Sequence, residues 1–137
     1  MYKKIMVPVD LAHTEKIEKA LNSASDLAKH YGAEVCYVSV TVTTPSEVAH
    51  TPSEYKQKLH AFAQKESEEH GQTIDAVVYT SHDPAIDLDK QLLKAVHDVG
   101  ADLVVMATHV PGLPEHIFAS NGGAVAMHTD VSVFLVR

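Results

Sequence analysis

The sequence predicts a doubly wound α/β fold whose five parallel strands lie in the order 3-2-1-4-5. Five short apolar segments alternate with four segments of helical pattern, and this alternation is typical of parallel strands joined by right-handed helical crossovers. The first apolar segment is nearly continuous, as expected when helices cover both faces of a sheet. With 137 residues, 45% of them hydrophobic, the chain is long enough for one sizeable core. We expect a single domain over residues 1–137.

The first strand and the first helix have recognisable boundaries. Residues 3–9 form the first predicted strand, and Asp10 follows it directly, before a predicted loop of residues 11–13. Apolar residues then recur at spacings of three and four across residues 14–31. We predict a helix there, with Thr14 as its N-cap and Gly32 as the residue that ends it.

The second strand and the second helix are separated by a polar segment. Residues 33–42 are rich in β-branched and aromatic residues, which favours a strand. Residues 43–51 have no period and contain a proline, so we predict a loop. A helix is predicted from Pro52 or Ser53 to near Gly71. Its apolar stripe comprises Tyr55, Leu59, Phe62 and Ala63, and its solvated charged face comprises Lys56, Lys58, Lys65, Glu66, Glu68 and Glu69.

The third strand, the third helix and the fourth strand follow in close succession. Residues 73–80 form the third predicted strand, and the pair Asp83-Pro84 is a typical helix start. The helix covers residues 84–99 and ends at Gly100. Its predicted apolar side consists of Ile86, Leu88, Leu92, Leu93 and Val96. Residues 102–107 form the fourth predicted strand.

The last strand is predicted at the edge of the sheet. A short helix of about residues 121–128 precedes it, and the strand itself covers Val131 to Val136. This segment is too apolar for an open edge, because an uncharged, unpaired edge strand promotes association. We therefore expect a homodimer in which Val131–Val136 pairs with its twin across a twofold axis.

The segment from Leu103 to Asn121 is the predicted ligand site. A strand that ends in small and hydroxyl residues and leads to a helix N-terminus exposes free backbone N–H groups, which suit a phosphate. Gly122 and Gly123 in the first helical turn leave room for phosphate oxygens. In the predicted strand order the winding reverses between strands one and four, where such folds bind ligands. This order puts Asp10 next to Thr108 and Ser120.

Composition excludes several classes of partner. The formal charge of −7, from 18 acidic and 11 basic residues, would repel nucleic acid and anionic membranes. No apolar run is long enough for a membrane span or an export signal. The single cysteine, Cys36, forms no internal disulfide, and its apolar surroundings indicate a buried side chain in the reducing cytoplasm.

Neither a metal site nor fast catalysis is predicted. The chain has ten histidines, but none at the spacing of a metal-binding cluster. It lacks a G-x-S-x-G elbow and a Walker lysine, and residues 103–136 contain no Lys or Arg to stabilise phosphoryl transfer. We expect binding with, at most, a slow ATPase activity.

The chain resembles the universal stress protein family over essentially its whole length. The resemblance is carried by Ile5-Met6-Val7-Pro8-Val9-Asp10, Gly32-Ala33-Glu34-Val35, Asp83-Pro84-Ala85, Ala101-Asp102-Leu103-Val104-Val105-Met106-Ala107-Thr108-His109 and Ser132-Val133-Phe134-Leu135-Val136. It implies a Rossmann-like fold of the adenine nucleotide alpha hydrolase type, a dimer formed through the last strand, and a cytoplasmic stress-response role.

The family's nucleotide-binding members carry the motif G-x2-G-x9-G-(S/T) after the fourth strand. Here Ala107 and Val110 replace the first two glycines, and Ala119-Ser120 matches the end of the motif with a loop one residue shorter. Two functions therefore stay open. The chain is either a dimeric regulator that binds ATP, ADP or AMP, with Mg²⁺ use undetermined, or a nucleotide-free dimeric interaction module.

The resemblance also implies a set of binding residues. Pro8, Val9, Asp10 and the residues just after them would contact the adenine or its ribose, and Val38 to Val40, near the end of strand two, would line the base pocket. The ribose and phosphates would lie against Ala107, Thr108, His109, Val110 and Gly112. The helix start would hold phosphate through Ala119, Ser120, Asn121 and Gly122.

Overall fold

In a computed structural model, which describes residues 1–108 and 122–137, five parallel strands form one sheet in the predicted order β3-β2-β1-β4-β5. The strands are β1 (Lys4–Pro8), β2 (Glu34–Val42), β3 (Ile74–Ser81), β4 (Leu103–Ala107) and β5 (Ser132–Val136). The helices are α1 (Glu18–Tyr31), α2 (Pro52–His70), α3 (Pro84–Val99) and α4 (Gly122–His128). Each element lies within two residues of its predicted position, except for the start of α1.

Helices cover both faces of the sheet, which explains the continuous apolar character of β1. Ile5 and Val7 pack on one face with residues of α1 and α2, whereas Met6 packs on the other with residues of α3 and α4. All three side chains are fully buried. Cys36 is buried on the second face, as predicted, and burial raises the pKa of its thiol to about 11. The thiol therefore stays protonated at neutral pH.

The start of α1 differs from the prediction. Residues 11–16, expected as a loop followed by a helix capped by Thr14, form a 3₁₀ helix that is kinked at His13 instead. Asp10 caps this helix by accepting a hydrogen bond from the backbone N–H of Ala12, and α1 begins only at Glu18. The carboxylate of Asp10 thus forms a local cap before Thr14 is reached. The predicted end at Gly32 is confirmed, with φ 67° in the left-handed region.

Two side chains lie on the opposite side of their helix from the prediction. Glu66, assigned to the solvated face of α2, is only 8% exposed and lies beside Tyr37. Ile86, assigned to the apolar side of α3, is 83% exposed. It precedes Leu88 by two residues, which is a rotation of about 200° around a helix of 3.6 residues per turn. The buried side of α3 is accordingly narrower than the sequence pattern indicated.

The two edges of the sheet differ in their exposed side chains. β5 exposes Phe134 and Leu135, which are 45% and 41% exposed, whereas β3 exposes the polar residues Asp75 and Thr80. The homodimer expected through Val131–Val136 stays a prediction. Among the helices that the structure describes, none combines the length and apolar character needed to cross a membrane.

Candidate functional site

A cavity of about 300 Å³ lies at the carboxyl ends of β1 and β2. The polypeptide that follows β2, the first turns of α2 and the amino end of α3 surround it. Its described lining residues are Asp10, Ala12, Val40, Thr41, Val42, Ser46, Glu47, Val48, Tyr55, Pro84 and Leu88. In parallel α/β sheets this end of the strands is where ligands bind.

Asp10, which lies just after the carboxyl end of β1, contributes a carboxylate to the cavity. Its Oδ1 accepts a hydrogen bond from the N–H of Ala12 at 3.0 Å, and its Oδ2 lies 2.9 Å from Nδ1 of His13. The Asp10 side chain is 21% exposed. A carboxylate held by two donors and still in contact with the cavity can accept a further hydrogen bond from a ligand.

The polypeptide at the end of β1 is held by side chains from β2 and α2. The hydroxyl of Ser39 donates to the carbonyl oxygen of Val9 at 2.5 Å, and the N–H of Val9 donates to the carbonyl of Val38 at 2.8 Å. The Tyr55 hydroxyl accepts from the N–H of Leu11 at 3.2 Å. Burial raises the pKa of Tyr55, so the hydroxyl stays protonated. These bonds fix the position of Asp10 relative to the sheet.

The outer wall of the cavity is the segment from Ser46 to Val48. Within this turn the N–H of Ser46 donates to the carbonyl of Ala49 at 2.8 Å. Lys58 of α2 donates to the carbonyl of Val48, and its Nζ lies 3.3 Å from the Glu54 carboxylate. The wall therefore rests on α2.

Charge at the cavity is negative. Asp10 and Glu47 are carboxylates, and no Lys or Arg is present among the lining residues that the structure describes. Such a surface repels a phosphate and favours an uncharged group that carries hydroxyl or amino donors beside an apolar ring. Pockets for small molecules typically start at about 300 Å³, so the cavity is large enough for a small molecule.

The exit of β4 has a different character. The N–H of Thr108 donates to the carbonyl of Val136 at 2.8 Å, so this amide is used by the sheet and is not free for an anion. Thr108 lines a second hollow, of about 420 Å³, together with Gly123, Leu135 and Arg137. Arg137 supplies positive charge there, just beyond the segment that the sequence analysis found to lack cations.

The predicted site residues fall into four groups. Asp10 and Val40 line the cavity, and Thr108 lines the second hollow. A second group of predicted residues has buried side chains, which lie beneath the site or within the sheet. This group comprises Pro8, Val9, Val38 and Ala107. Gly122 begins α4. The remaining predicted residues lie outside the described part of the chain, namely His109, Val110, Gly112, Ala119, Ser120 and Asn121.

Val38 lies deeper in the fold than Val40, which was also assigned to the base pocket. β2 ends at Val42, as predicted. Val38 therefore lies four residues from the end, is fully buried, and packs in the core on the α3 side. Val40, two residues further along the same face, reaches the cavity.

Several lining residues were not identified from the sequence. Tyr55 and Leu88 were assigned to the core, and they are buried there while also lining the cavity. Ser46 and Glu47 were assigned to a loop without a function. A usable signal was their position in the loop that follows a parallel strand, since the carboxyl ends of β1 and β2 meet at one end of the sheet.

The described residues offer no metal centre. Within residues 1–108 and 122–137, no three His, Cys, Asp or Glu side chains are grouped closely enough to hold a metal ion.

Comparison with known proteins identifies the family. A model of the universal stress protein family matches residues 1–137. The chain belongs to the universal stress protein family. Universal stress protein G of Shigella flexneri is 28% identical over 143 residues, and the alignment covers 100% of both chains.

Solved structures of family members share the fold. A universal stress protein from Archaeoglobus fulgidus in complex with dAMP has a TM-score of 0.70 at 16% identity, covering 99% of this chain and 98% of that one. A universal stress protein in complex with cAMP has a TM-score of 0.69 at 17% identity, covering 99% and 97%. At these identities the similarity establishes the fold, and the bound nucleotides are properties of those two proteins.

Proposed function

We propose that this universal stress protein binds an adenine nucleotide, with the nucleoside half in the cavity beside Asp10. The observation that carries the proposal is the cavity itself, because it combines apolar walls with one fixed carboxylate at the carboxyl edge of a doubly wound sheet. Two relatives of the same fold are complexes with dAMP and cAMP, which supports adenine nucleotides as the ligand class.

The charges of the two regions favour one orientation of the nucleotide. The acidic cavity suits the base and the ribose, whose hydroxyl groups can donate to the carboxylate of Asp10. The hollow beside Thr108 contains the cation Arg137 and suits phosphate. The proposal includes phosphate contacts from Ser120 and Asn121, which lie outside the described residues. It covers ATP, ADP and AMP.

The proposed role is that of a dimeric stress-response regulator in the cytoplasm. The apolar side chains of Phe134 and Leu135 on the edge strand β5 support pairing with a second copy. Phe134→Lys should convert the dimer to a monomer in light scattering after size exclusion, whereas Thr80→Lys on the β3 edge should leave it dimeric. A wild-type chain that is monomeric at high concentration would contradict this part of the proposal.

Calorimetric titration tests nucleotide binding. AMP, ADP and ATP should each release or absorb heat with one site per chain, and GMP should bind more weakly because its base carries different donors and acceptors. The absence of binding by any adenine nucleotide at millimolar concentration would refute the proposal.

A nucleotide-free interaction module is the second candidate. It is favoured by the engaged N–H of Thr108 and by Ala107, which stands where the family's nucleotide binders have glycine. Adenine absorbance that co-purifies with the protein would count against this candidate, and protein free of nucleotide would support it.

A further inference from the structure

The contact between His13 and Asp10 is a feature beside the cavity that the proposed nucleotide contacts do not use. Nδ1 of His13 lies 2.9 Å from Oδ2 of Asp10, and the backbone N–H of His13 donates to the carbonyl of Asp10 at 3.0 Å. Both side chains are half-buried, at 31% exposure for His13 and 21% for Asp10. The histidine is therefore held against the aspartate by its ring and by its main chain.

His13 approaches Asp10 from outside the cavity. Asp10 and Ala12 line the cavity, but His13 is not among its described lining residues. Its ring and the N–H of Ala12 occupy different oxygens of the same carboxylate. Since each carboxylate oxygen has two lone pairs, both oxygens retain an acceptor position for a ligand.

We infer that His13 is a positioning residue, which orients the carboxylate of Asp10 toward a ligand hydroxyl in the cavity. The inference rests on the proposed function, and the ligand group is a hydroxyl donor such as that of a ribose. Donors on both oxygens fix the plane of the carboxylate before the ligand arrives. Because the side chain of Asp10 is already ordered, it loses little conformational entropy when the ligand binds.

Substitution of the ring tests the inference through AMP binding. His13→Leu should weaken AMP binding by roughly threefold to tenfold, which is the effect of freeing one side chain. His13→Asn should bind within about twofold of wild type, because its amide nitrogen takes the place of Nδ1 as a donor. The matched control is His97→Leu, since His97 also faces a carboxylate, that of Asp130 at 3.9 Å, and should leave AMP binding unchanged.

A double-mutant cycle separates positioning from a general structural effect. In the Asp10→Asn background, His13→Leu should cause less than about a twofold further loss, because the group that it orients is already changed. Losses that multiply would overturn the inference, as would a His13→Leu variant with wild-type affinity. Wild-type protein that binds no adenine nucleotide would overturn both the inference and the proposed function.

Nitrogen NMR of the imidazole provides a readout that needs no ligand. In the free protein, His13 should carry a proton on Nδ1, the atom that faces Asp10, and Asp10→Asn should alter its ring nitrogen signals. A neutral ring with an unprotonated Nδ1 would overturn the inference even if His13→Leu fails to fold.

Discussion

The exits of β1 and β4 lie side by side at one edge of the sheet, yet they are built differently. After β1, the carboxylate of Asp10 is held by two donors and lines a cavity with no described cation. After β4, the N–H of Thr108 is bonded to Val136, and the adjacent hollow contains Arg137. The comparison teaches that one end of a sheet can offer two chemically distinct surfaces, an acceptor surface and a cationic one.

The difference arises from the strand neighbours. β1 is central, so its exit is held by Ser39 from β2 and by Tyr55 from α2, and the polypeptide can turn into a capped 3₁₀ helix. β4 is bordered by β5, whose last residue, Val136, is level with Ala107 and accepts a hydrogen bond from the N–H of Thr108. A nucleotide that spans both regions would place its nucleoside and its phosphate on surfaces of opposite charge.

The largest expected effect is a loss of AMP binding when a bulky side chain fills the cavity beside Asp10. Val40→Phe should place a ring in the cavity and weaken AMP binding by about a hundredfold, because the base and the new side chain compete for one space. Calorimetry measures the change. Val133→Phe on β5, which is likewise half-buried but remote from the cavity, should bind AMP normally. Unchanged affinity in Val40→Phe would locate the ligand elsewhere.

The next largest effect is expected from removing the charge of the hydrogen-bond acceptor Asp10. Asp10→Asn keeps the shape of the side chain but removes its charge, and a hydrogen bond to a charged group contributes about 1.5–3 kcal/mol. AMP and adenosine should both bind roughly tenfold to a hundredfold more weakly. Asp75→Asn, at an exposed aspartate of β3, provides the control. If adenosine affinity is retained in Asp10→Asn, the carboxylate is not a ligand contact.

A smaller effect on nucleotide binding is expected from a substitution in the hollow beside Thr108. Arg137→Gln should weaken ADP binding by about twofold to fivefold, in the range of an exposed ion pair, and should leave adenosine binding unchanged. The comparison of the two ligands by calorimetry is its own control. An equal loss for adenosine and ADP would contradict the division of the site into a nucleoside region and a phosphate region.

The smallest expected effect is on stability alone, and it comes from the buried Glu66 of α2. Burial raises the pKa of Glu66 above its ordinary value of 4.5, so the folded chain holds this proton more tightly than the unfolded chain. The resulting stabilisation is complete below about pH 4.5 and is lost as the pH rises through the raised pKa. The free energy of unfolding of Glu66→Gln, relative to wild type, should therefore increase between pH 5 and pH 8.

Urea unfolding at both pH values measures this difference, and AMP binding at pH 8 should be the same in both proteins. If the difference in unfolding free energy between Glu66→Gln and wild type is constant or decreases with pH, burial does not destabilise the charged carboxylate of Glu66. A change in AMP affinity would link the core of α2 to the cavity that α2 supports.

Sequence reasoning predicted the fold because the local signals agree with one another. Apolar strands such as residues 3–9, and glycines such as Gly32 and Gly100, mark the elements without reference to tertiary contacts. Where two local devices compete, the prediction was wrong. Asp10 capped a 3₁₀ helix ahead of Thr14, and neither residue type alone determines which cap forms.

The candidate site was predicted in part. Asp10 was found from its position after a strand at the point where the winding reverses, a property of topology that strand order alone supplies. Val48 could not be found, because its position depends on contacts such as that of Lys58 with its carbonyl oxygen. The length of β2 was predicted, but the depth of Val38 follows from its packing in the core on the α3 side, which a strand pattern does not reveal.

The measurement that tests the central claim most directly is an amide NMR titration with AMP. Saturable shifts should occur at Ala12, Val40 and Thr41 around the cavity, while Lys4 at the opposite end of β1 should remain unperturbed. If AMP saturates the protein without shifting these cavity amides, the nucleoside does not occupy the carboxyl ends of β1 and β2.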